Sequence, residues 1–234
     1  MDAYTKAEVE FYCDNPNTIA RECLKVDSFF AMIPEDGKNQ FEIITRYADI
    51  ENTISTLQKL KEIILKNGGI LRAMPFVDQP PSSFQVTFFL KNNDSVNMFN
   101  TKKFLMNAIG GLCRSVSSDI LHFAPSVNSY YRIVRGGMHV PKHISWSNSS
   151  CRSAMIRIKK TPVIALEHRL SGCDVVFSNV INKIIDAAIQ GIKNEYNPPN
   201  QCFFPNSFFS EKYTRLPLSL TEALKLVARK KHSY

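Results

Sequence analysis

Residues 35–43 of the chain read EDGKNQFEI, a run in which a turn-forming centre leads into an alternating strand pattern. In the continuation QFEIITRY, the carboxylate of Glu42 falls on the face opposite Phe41 and Ile43, and the preceding turn supplies a second carboxylate, Glu35. One interpretation is a solvated edge strand. The other is a cation site, because neighbouring carboxylates offer the oxygen ligands that hard divalent ions prefer. The rest of the sequence has to distinguish between the two.

Length and composition describe a chain that can form a hydrophobic core. The 234 residues fit one domain, and 44% of them are hydrophobic. No stretch reaches the roughly 18 apolar residues of a membrane span. The first twelve residues lack the apolar segment of a signal peptide. The six cysteines are scattered without metal-ligand spacing, which predicts reduced thiols. We therefore expect a cytoplasmic protein with no membrane partner.

The net charge of +8 raises the question of nucleic acid binding. The basic residues are spread along the chain, and only residues 228–232 form a dense basic run. No recognition helix and no motif of interleaved aromatic and basic residues accompanies them. We therefore do not expect nucleic acid as a partner.

Hydrophobic periodicity predicts a mixed order of strands and helices. Strands are predicted at residues 8–12, 84–90, 143–147, 155–158 and 164–170, and helices at 18–26, 50–66, 101–116 and 177–194. An irregular loop is predicted for residues 197–209, which are rich in Pro and Phe. Paired strands with helices between them predict an α+β fold, a mixed, largely antiparallel sheet packed by helices. With no repeat and no linker, we predict a single domain over residues 1–234.

Charged residues follow the predicted strands in a pattern that favours a functional site. Glu8 and Glu10 share one strand face, and Glu167 and Arg169 share a face of another strand. Three further arginines stand beside the same segments: Arg132, Arg152 and Arg157. Inward carboxylates are costly unless a cation neutralises them, and arginine binds phosphate or carboxylate with two parallel hydrogen bonds. Divalent metals together with arginines can catalyse phosphoryl transfer from ATP. Each of these short motifs, taken alone, usually belongs to a solvated protein surface.

The same segments, in order, resemble motifs of one known family. They are KAEVEFY (6–12), EDGKNQFEI (35–43), RAMPF (72–76), APSVNSYYRIVRGG (124–137), ISWSNSSCRSAMIRI (144–158), ALEHRLSGCD (165–174) and LPLSLTEALKLV (216–227). They are similar to the family patterns E-x-E-F, E-x-G-P-G-Q-F-E-I, F-M-P-K-P, A-P-T-x-N-S-Y-K-R-L-V-P-G, N-R-S-A-x-I-R-I, R-x-E-H-R-x-x-G-A-D and L-P-x-S-L-x-E-A-L. On these motifs the chain resembles the catalytic domain of the glutamine synthetase family. Its E-H-R variant is similar to the γ-glutamylpolyamine and γ-glutamylamide synthetases.

The resemblance implies a fold, a reaction and its cofactors. The fold would be the glutamine synthetase/guanido kinase-like catalytic fold. The reaction would be an ATP- and divalent-metal-dependent ligation that forms a γ-glutamyl amide through γ-glutamyl phosphate. ATP and a glutamate-like small molecule would be the substrates, and two Mg or Mn ions would be the cofactors.

The resemblance also assigns roles to individual residues. Glu10, Glu35 and Glu42 would hold one divalent ion, and Glu8, Gln85 and Glu167 would hold the other. Arg132 and Arg169 would bind the carboxylate of the amino-acid substrate, and Arg152 and Arg157 would stabilise the transferred phosphoryl group. This favours the cation-site interpretation of EDGKNQFEI over the solvated edge strand.

Several positions depart from the family pattern. Gln85 replaces the histidine of the second ion site, so we expect that site to be weak. Met138 or His139 stands where the family has a glutamate on the loop that closes the site. We expect the chain to lack the family's small N-terminal β-grasp domain. Without this domain we expect neither the family's double-ring assembly nor efficient use of ammonia. A different homo-oligomer remains an alternative. A degenerate pseudoenzyme that acts as a nucleotide-binding or interaction module is therefore the alternative function.

Overall fold

The computed structural model describes residues 1–148, 151–203 and 212–231. Its strands are β1 (Asp2–Tyr12), β2 (Phe29–Pro34), β3 (Gln40–Thr45), β4 (Ala48–Asp49), β5 (Phe84–Lys91), β6 (Trp146–Ser147), β7 (Ile156–Lys159) and β8 (Ala165–His168). Its α-helices are α1 (Pro16–Cys23), α2 (Ile50–Lys66), α3 (Lys102–Phe123), α4 (Val127–Arg135), α5 (Phe177–Lys193) and α6 (Leu220–Lys231). No helix within these described ranges is long and apolar enough to cross a membrane.

The strands form one sheet in the order β2-β3-β1-β5-β8-β7-β6, with β4 paired to β1. The β6–β7 pair is parallel, whereas the other neighbouring strands are antiparallel. The predicted α+β class, with a mixed, largely antiparallel sheet packed by helices, is confirmed.

The two faces of the sheet differ in chemistry because side chains alternate along each strand. On β1, Ala7 and Val9 are buried in the main hydrophobic cluster, which also contains residues of α2, α3 and α5. Glu8 and Glu10 therefore point to the opposite face. The helices α3 and α5 pack closely on the hydrophobic side, since a Cβ at Gly111 would lie 2.1 Å from the carbonyl oxygen of Ala187. The helical layer thus covers one face, and the charged residues lie on the other.

Several helices and strands begin and end within one residue of the predicted positions, whereas others are longer or shorter than predicted. Helix α2 matches its predicted residues, and β5 and α5 differ from theirs by one residue at the end. The first strand begins at Asp2 and not at residue 8, because its N-terminal half pairs with β5. The predicted strand at 143–147 shrinks to two residues, and the helix at 101–116 extends to Phe123. Residues 197–203 form no regular element, as predicted, and residues 204–209 of that loop lie outside the described residues.

Sequence periodicity missed β2 and α4. The residues FFAMIP of β2 do not alternate, and backbone pairing with β3 sets the strand. The residues of α4 include two tyrosines, which favour strands locally. The helix forms nonetheless because Ser126 and Ser129 make a reciprocal capping box at its first turn.

His168 lies on the hydrophobic side of β8, next to Glu167 on the opposite face. Its side chain is 1% exposed, its ring lies 4.7 Å from that of Phe123, and neither ring nitrogen has a hydrogen-bond partner in the described chain. Burial lowers the pKa of His168 to about 3.

We expect His168 to make the folded chain less stable in mild acid. Since the folded pKa lies below the ordinary value near 6.5, the unfolded chain binds the proton more readily. The contribution of neutral His168 to the free energy of unfolding is therefore fully present above about pH 6.5. Below that pH it decreases by about 1.4 kcal/mol for each pH unit, down to the folded pKa. The raised pKa of Glu42 produces a slope of the opposite sign over this pH range, so the test compares two variants. In urea unfolding from pH 7 to 5, the parent should lose about 1.4 kcal/mol more per pH unit than His168→Leu. An unchanged slope in that variant would contradict the assignment, and His122→Leu is the matched control.

Candidate active site

One cavity lies on the charged face of the sheet and has a volume of about 500 Å³. It is lined by every residue that the sequence assigned to a site: Glu8, Glu10, Glu35, Glu42, Gln85, Arg132, Arg152, Arg157, Glu167 and Arg169. Residues more than 150 positions apart in the chain are therefore neighbours in the fold.

Strand register brings the acidic residues together. Glu10 of β1 lies opposite Glu42 of β3, and Glu8 lies opposite Gln85 of β5. Cross-strand partners of this kind point to the same face and are neighbours there. The central strands thus place three glutamates side by side at the base of the cavity.

Register also places the basic residues on the other half of the cavity. Glu167 of β8 lies opposite Arg157 of β7 on one side and Thr87 of β5 on the other. Arg169 follows two residues after Glu167 and points the same way. The cavity therefore runs from an acidic side on β1 and β3 to a basic side on β7 and β8.

The opening stretch EDGKNQFEI forms the hairpin that supplies the third carboxylate of the acidic side. The backbone amide of Glu35 donates to the carbonyl of Gln40 at 2.9 Å, and that of Gln40 donates to Gly37 at 3.0 Å. Asn39 adopts a positive φ of 62°, a conformation that Asn tolerates better than most residues. The turn folds Glu35 back over the strand that carries Glu42. The strand is not an edge strand, because β3 lies between β2 and β1, and both glutamates line the cavity.

Glu10, Glu35 and Glu42 form a compact acidic cluster. Each offers a carboxylate oxygen, and these oxygens lie within 4.8 Å of one another. Burial, and then the charges of Glu8, Glu10 and Glu35, raise the pKa of Glu42 to about 8. Burial also raises the pKa values of Glu10 and Glu35, and Glu10 adds to the effect on Glu35. Within the described chain, none of the three carboxylates has a Lys or Arg nitrogen at ion-pair distance. A divalent cation would relieve this repulsion, and three hard oxygen donors suit Mg or Mn.

Ser83 orients Glu10 and was missed by the sequence interpretation. The Ser83 hydroxyl donates to Oε1 of Glu10 at 2.6 Å, and the Ser83 backbone amide donates to Oε2 at 2.7 Å. Two such hydrogen bonds fix the direction of the carboxylate. The position follows two prolines just before β5, and only the contact with β1 reveals its role.

Arg132 reaches the cavity from α4 and is almost fully buried. Its Nη1 donates to the carbonyl of Leu170 at 2.7 Å and its Nη2 to the carbonyl of Arg169 at 3.4 Å. Its Nε has no hydrogen-bond partner in the described chain. Burial lowers the pKa of Arg132 to about 10, against the opposing charge of Glu10. Arg132 therefore joins α4 to the end of β8 and keeps one buried donor unpaired, as a site for an anionic ligand would require.

The remaining arginines differ in their contacts. Arg152 lies on the turn before β7, lines the cavity and is exposed, so its charge can reach a ligand. Arg157 Nη1 lies 2.9 Å from Glu167 Oε2. Arg169 Nη1 donates to the same oxygen at 3.1 Å, and its Nε donates to the carbonyl of Arg152 at 3.2 Å. Arg169 is thus mainly held by the chain itself.

The three residues predicted to hold a second ion do not form a cluster like the first. Lys6 Nζ lies 2.9 Å from Glu8, and Gln85 accepts a hydrogen bond from Arg169. Burial alone would raise the pKa of Glu167, but Arg169, Arg157 and Lys159 together bring it below its ordinary value. The sequence assigned neither Lys6 nor Lys159 to the site; Lys159 was expected in a solvated turn with Lys160, but it ends β7 and lies 3.5 Å from Glu167.

The loop after α4 contributes His139 to the wall of the cavity. Of the two candidates for the position of the family's loop glutamate, His139 lines the cavity, whereas Met138 is exposed and is not among its lining residues.

Comparison with known proteins gives these observations a family context. A family model described as the catalytic domain of glutamine synthetase matches residues 17–233. The glutamine synthetase of Pyrococcus woesei is 27% identical over 202 residues, which cover 79% of this chain and 45% of that protein. The gamma-glutamylethanolamide synthetase GlnA4 of Streptomyces coelicolor is 26% identical over 106 residues, which cover 45% of this chain and 22% of that protein.

A solved complex of GmaS with ADP has the same fold. It matches with a TM-score of 0.80 at 19% identity, and the match covers 97% of this chain and 64% of that chain. The chain spans less than half the length of the Pyrococcus relative.

Proposed function

The chain belongs to the glutamine synthetase family, and from this premise we propose that it is an ATP- and divalent-metal-dependent ligase that forms a γ-glutamyl amide. The observation that carries the proposal is that one cavity joins a three-carboxylate cluster to four arginines. Buried charged groups are costly for a fold, and a ligand of opposite charge offsets that cost. Glu42, Arg132 and Glu167 are each under 10% exposed, which is expected of a binding site and not of a solvated face.

The proposed chemistry has two steps. An oxygen of the γ-carboxylate of glutamate attacks the terminal phosphorus of ATP, and ADP leaves with the electrons of the broken P–O bond. The nitrogen of ammonia or an amine then attacks the carbonyl carbon of γ-glutamyl phosphate, phosphate leaves, and the nitrogen loses a proton. The first step is needed because a carboxylate has no good leaving group until it is phosphorylated.

Each group of residues has a task in this proposal. Glu10, Glu35 and Glu42 hold a divalent ion, which when bound neutralises charge on the phosphates of ATP. Arg152 and Arg157 face the transferred phosphoryl group and stabilise its charge. Arg132 binds a carboxylate of the amino-acid substrate through its unpaired Nε, while its other nitrogens hold the end of β8.

The named relatives support this reaction class. The Streptomyces relative carries the name of an amide-forming synthetase whose acceptor is ethanolamine, and the solved GmaS structure holds ADP. Both agree with a site that couples a nucleotide to amide formation. We leave the acceptor as ammonia or an amine.

We expect the full chain to convert glutamate and hydroxylamine to γ-glutamyl hydroxamate when Mg and ATP are present. Hydroxylamine is a strong nucleophile that intercepts an acyl phosphate, so the test does not depend on the natural acceptor. The ferric-hydroxamate colour and the release of phosphate are measured in parallel, and EDTA is expected to abolish both.

The result separates the ligase from the alternative pseudoenzyme. A chain that binds Mg-ATP by calorimetry but forms neither hydroxamate nor phosphate would contradict the ligase proposal and support a nucleotide-binding module. Phosphate release without hydroxamate would contradict the acyl phosphate intermediate.

A further inference from the structure

The predicted second ion site contains positive side chains of the protein. Glu167, with 2% of its side chain exposed, lies 2.9 Å from Arg157, 3.1 Å from Arg169 and 3.5 Å from Lys159. Three basic groups thus surround one carboxylate. The carboxylate keeps its charge, but the three positive groups offset its attraction for a divalent ion.

The other two predicted ligands are engaged as well. Glu8 Oε1 lies 2.9 Å from the ammonium nitrogen of Lys6. The side-chain oxygen of Gln85, the atom that would face a metal, accepts a hydrogen bond from Arg169, and its amide donates to Ser83 Oγ at 2.9 Å. The residues therefore do not fit a second ion.

Strand periodicity explains why the lysines lie there. Lys6 stands two residues before Glu8 on β1, and Lys159 stands two residues after Arg157 on β7, so each points to the cavity face. Lys6 lies opposite Thr87, which lies opposite Glu167. Lys159 lines the cavity with 36% of its side chain exposed, so its ammonium group is within reach of a ligand. The side chain of Lys6 is 26% exposed and its ammonium group pairs with Glu8.

The two halves of the cavity differ in net charge. The cluster of Glu10, Glu35 and Glu42 has no basic partner at ion-pair distance in the described residues. The second half combines two carboxylates, Glu8 and Glu167, with three basic groups that line it, Arg157, Lys159 and Arg169. Lys6 does not line the cavity itself and adds a fourth positive charge through its ion pair with Glu8. A divalent ion is attracted to the first half and repelled by the second.

We propose that the chain binds one divalent ion, at Glu10, Glu35 and Glu42, and that Lys6 and Lys159 supply positive charge where a second ion would otherwise lie. The inference rests on the proposed function only in taking the cavity as a nucleotide-phosphate site. Fixed ammonium groups bind phosphate oxygens as point charges, so they can meet the same anionic groups without a metal.

The test counts Mn²⁺ ions bound by the full chain. Free Mn²⁺ is followed by electron paramagnetic resonance during titration of the parent with the metal alone, up to millimolar concentrations. We expect one ion per chain in the parent and none in Glu42→Ala. A second bound ion is expected in the triple variant Lys6→Met, Lys159→Met, Gln85→His. The control variant Lys160→Met changes the neighbouring exposed lysine and is expected to bind a single ion, as the parent does.

Each outcome bears on a different claim. Two ions in the parent would overturn the one-ion inference and leave the proposed ligase function standing. One ion that persists in Glu42→Ala would overturn the assignment of the site. A folded triple variant that still binds one ion would overturn the role of the lysines. No ion in the parent would overturn metal-dependent function altogether, and the hydroxamate assay would fail with it.

Discussion

Replacing Glu42 by alanine is expected to weaken the binding of Mg-ATP at least 100-fold. Glu42 is 7% exposed and lies within 4.8 Å of the ligand oxygens of Glu10 and Glu35, so its loss removes one of three ligands from the cluster. A 100-fold loss corresponds to about 2.7 kcal/mol of binding free energy, a plausible contribution of one charged ligand. Isothermal titration calorimetry with Mg-ATP measures the change directly.

The stability of the variant separates loss of a ligand from loss of the fold. Burial and its acidic neighbours raise the pKa of Glu42 to about 8. In the absence of metal, burying this group therefore lowers the free energy of unfolding. We therefore expect Glu42→Ala to unfold at the same or a higher urea concentration than the parent when no metal is added. Glu62→Ala, which removes an exposed glutamate from α2, is the matched control and should bind Mg-ATP normally. Parent-like affinity in Glu42→Ala would show that the metal site lies elsewhere.

Much of the acidic side of the cavity could be predicted from local patterns. Alternation along a strand fixes that Glu8 and Glu10 share a face, and the turn residues before Gln40 predict that Glu35 returns toward Glu42. Strand alternation is a property of the backbone and needs no tertiary information. Which strands are neighbours does need it, and there the ordered family motifs supplied what periodicity could not.

The basic side shows why the remainder was missed. Lys6 and Lys159 have ordinary strand positions in the sequence, and their importance arises only because β1, β5, β8 and β7 are neighbours in that order. Ser83 is likewise significant only through its hydrogen bonds to Glu10. Contacts between strands far apart in sequence depend on register, and register is set by the whole sheet.

The failure to predict helix α4 has the same cause, namely its dependence on tertiary contacts. Its tyrosines favour a strand locally, while its capping box and the contact of Arg132 with β8 favour the helix. Tertiary contacts override weak local propensity in such segments. Arg132, which the family resemblance assigned to the site and which lines the cavity, thus stands on an element that local periodicity did not reveal.

Replacing Arg132 by lysine is expected to raise the Michaelis constant for glutamate about 10- to 100-fold while the affinity for Mg-ATP stays within about twofold. The guanidinium uses two nitrogens for the carbonyls of Leu170 and Arg169 and has Nε unpaired. Lysine has one nitrogen and cannot hold β8 and a carboxylate at once. A hydrogen bond to a charged group contributes about 1.5–3 kcal/mol, which gives the expected range. The hydroxamate assay at varied glutamate provides the constant.

A variant on the same helix controls for general effects on α4. Arg135 is exposed, stacks over the ring of Tyr131 at 5.4 Å and does not line the cavity, so Arg135→Lys should keep the parent constant. An unchanged Michaelis constant in Arg132→Lys would exclude Arg132 from carboxylate binding. A loss of glutamate and Mg-ATP affinity together would show instead that Arg132 acts by holding β8. The selective loss is expected, because the acidic cluster is positioned by the pairing of β1 with β3 and by Ser83, whereas Arg132 donates its hydrogen bonds to the carbonyls of Leu170 and Arg169.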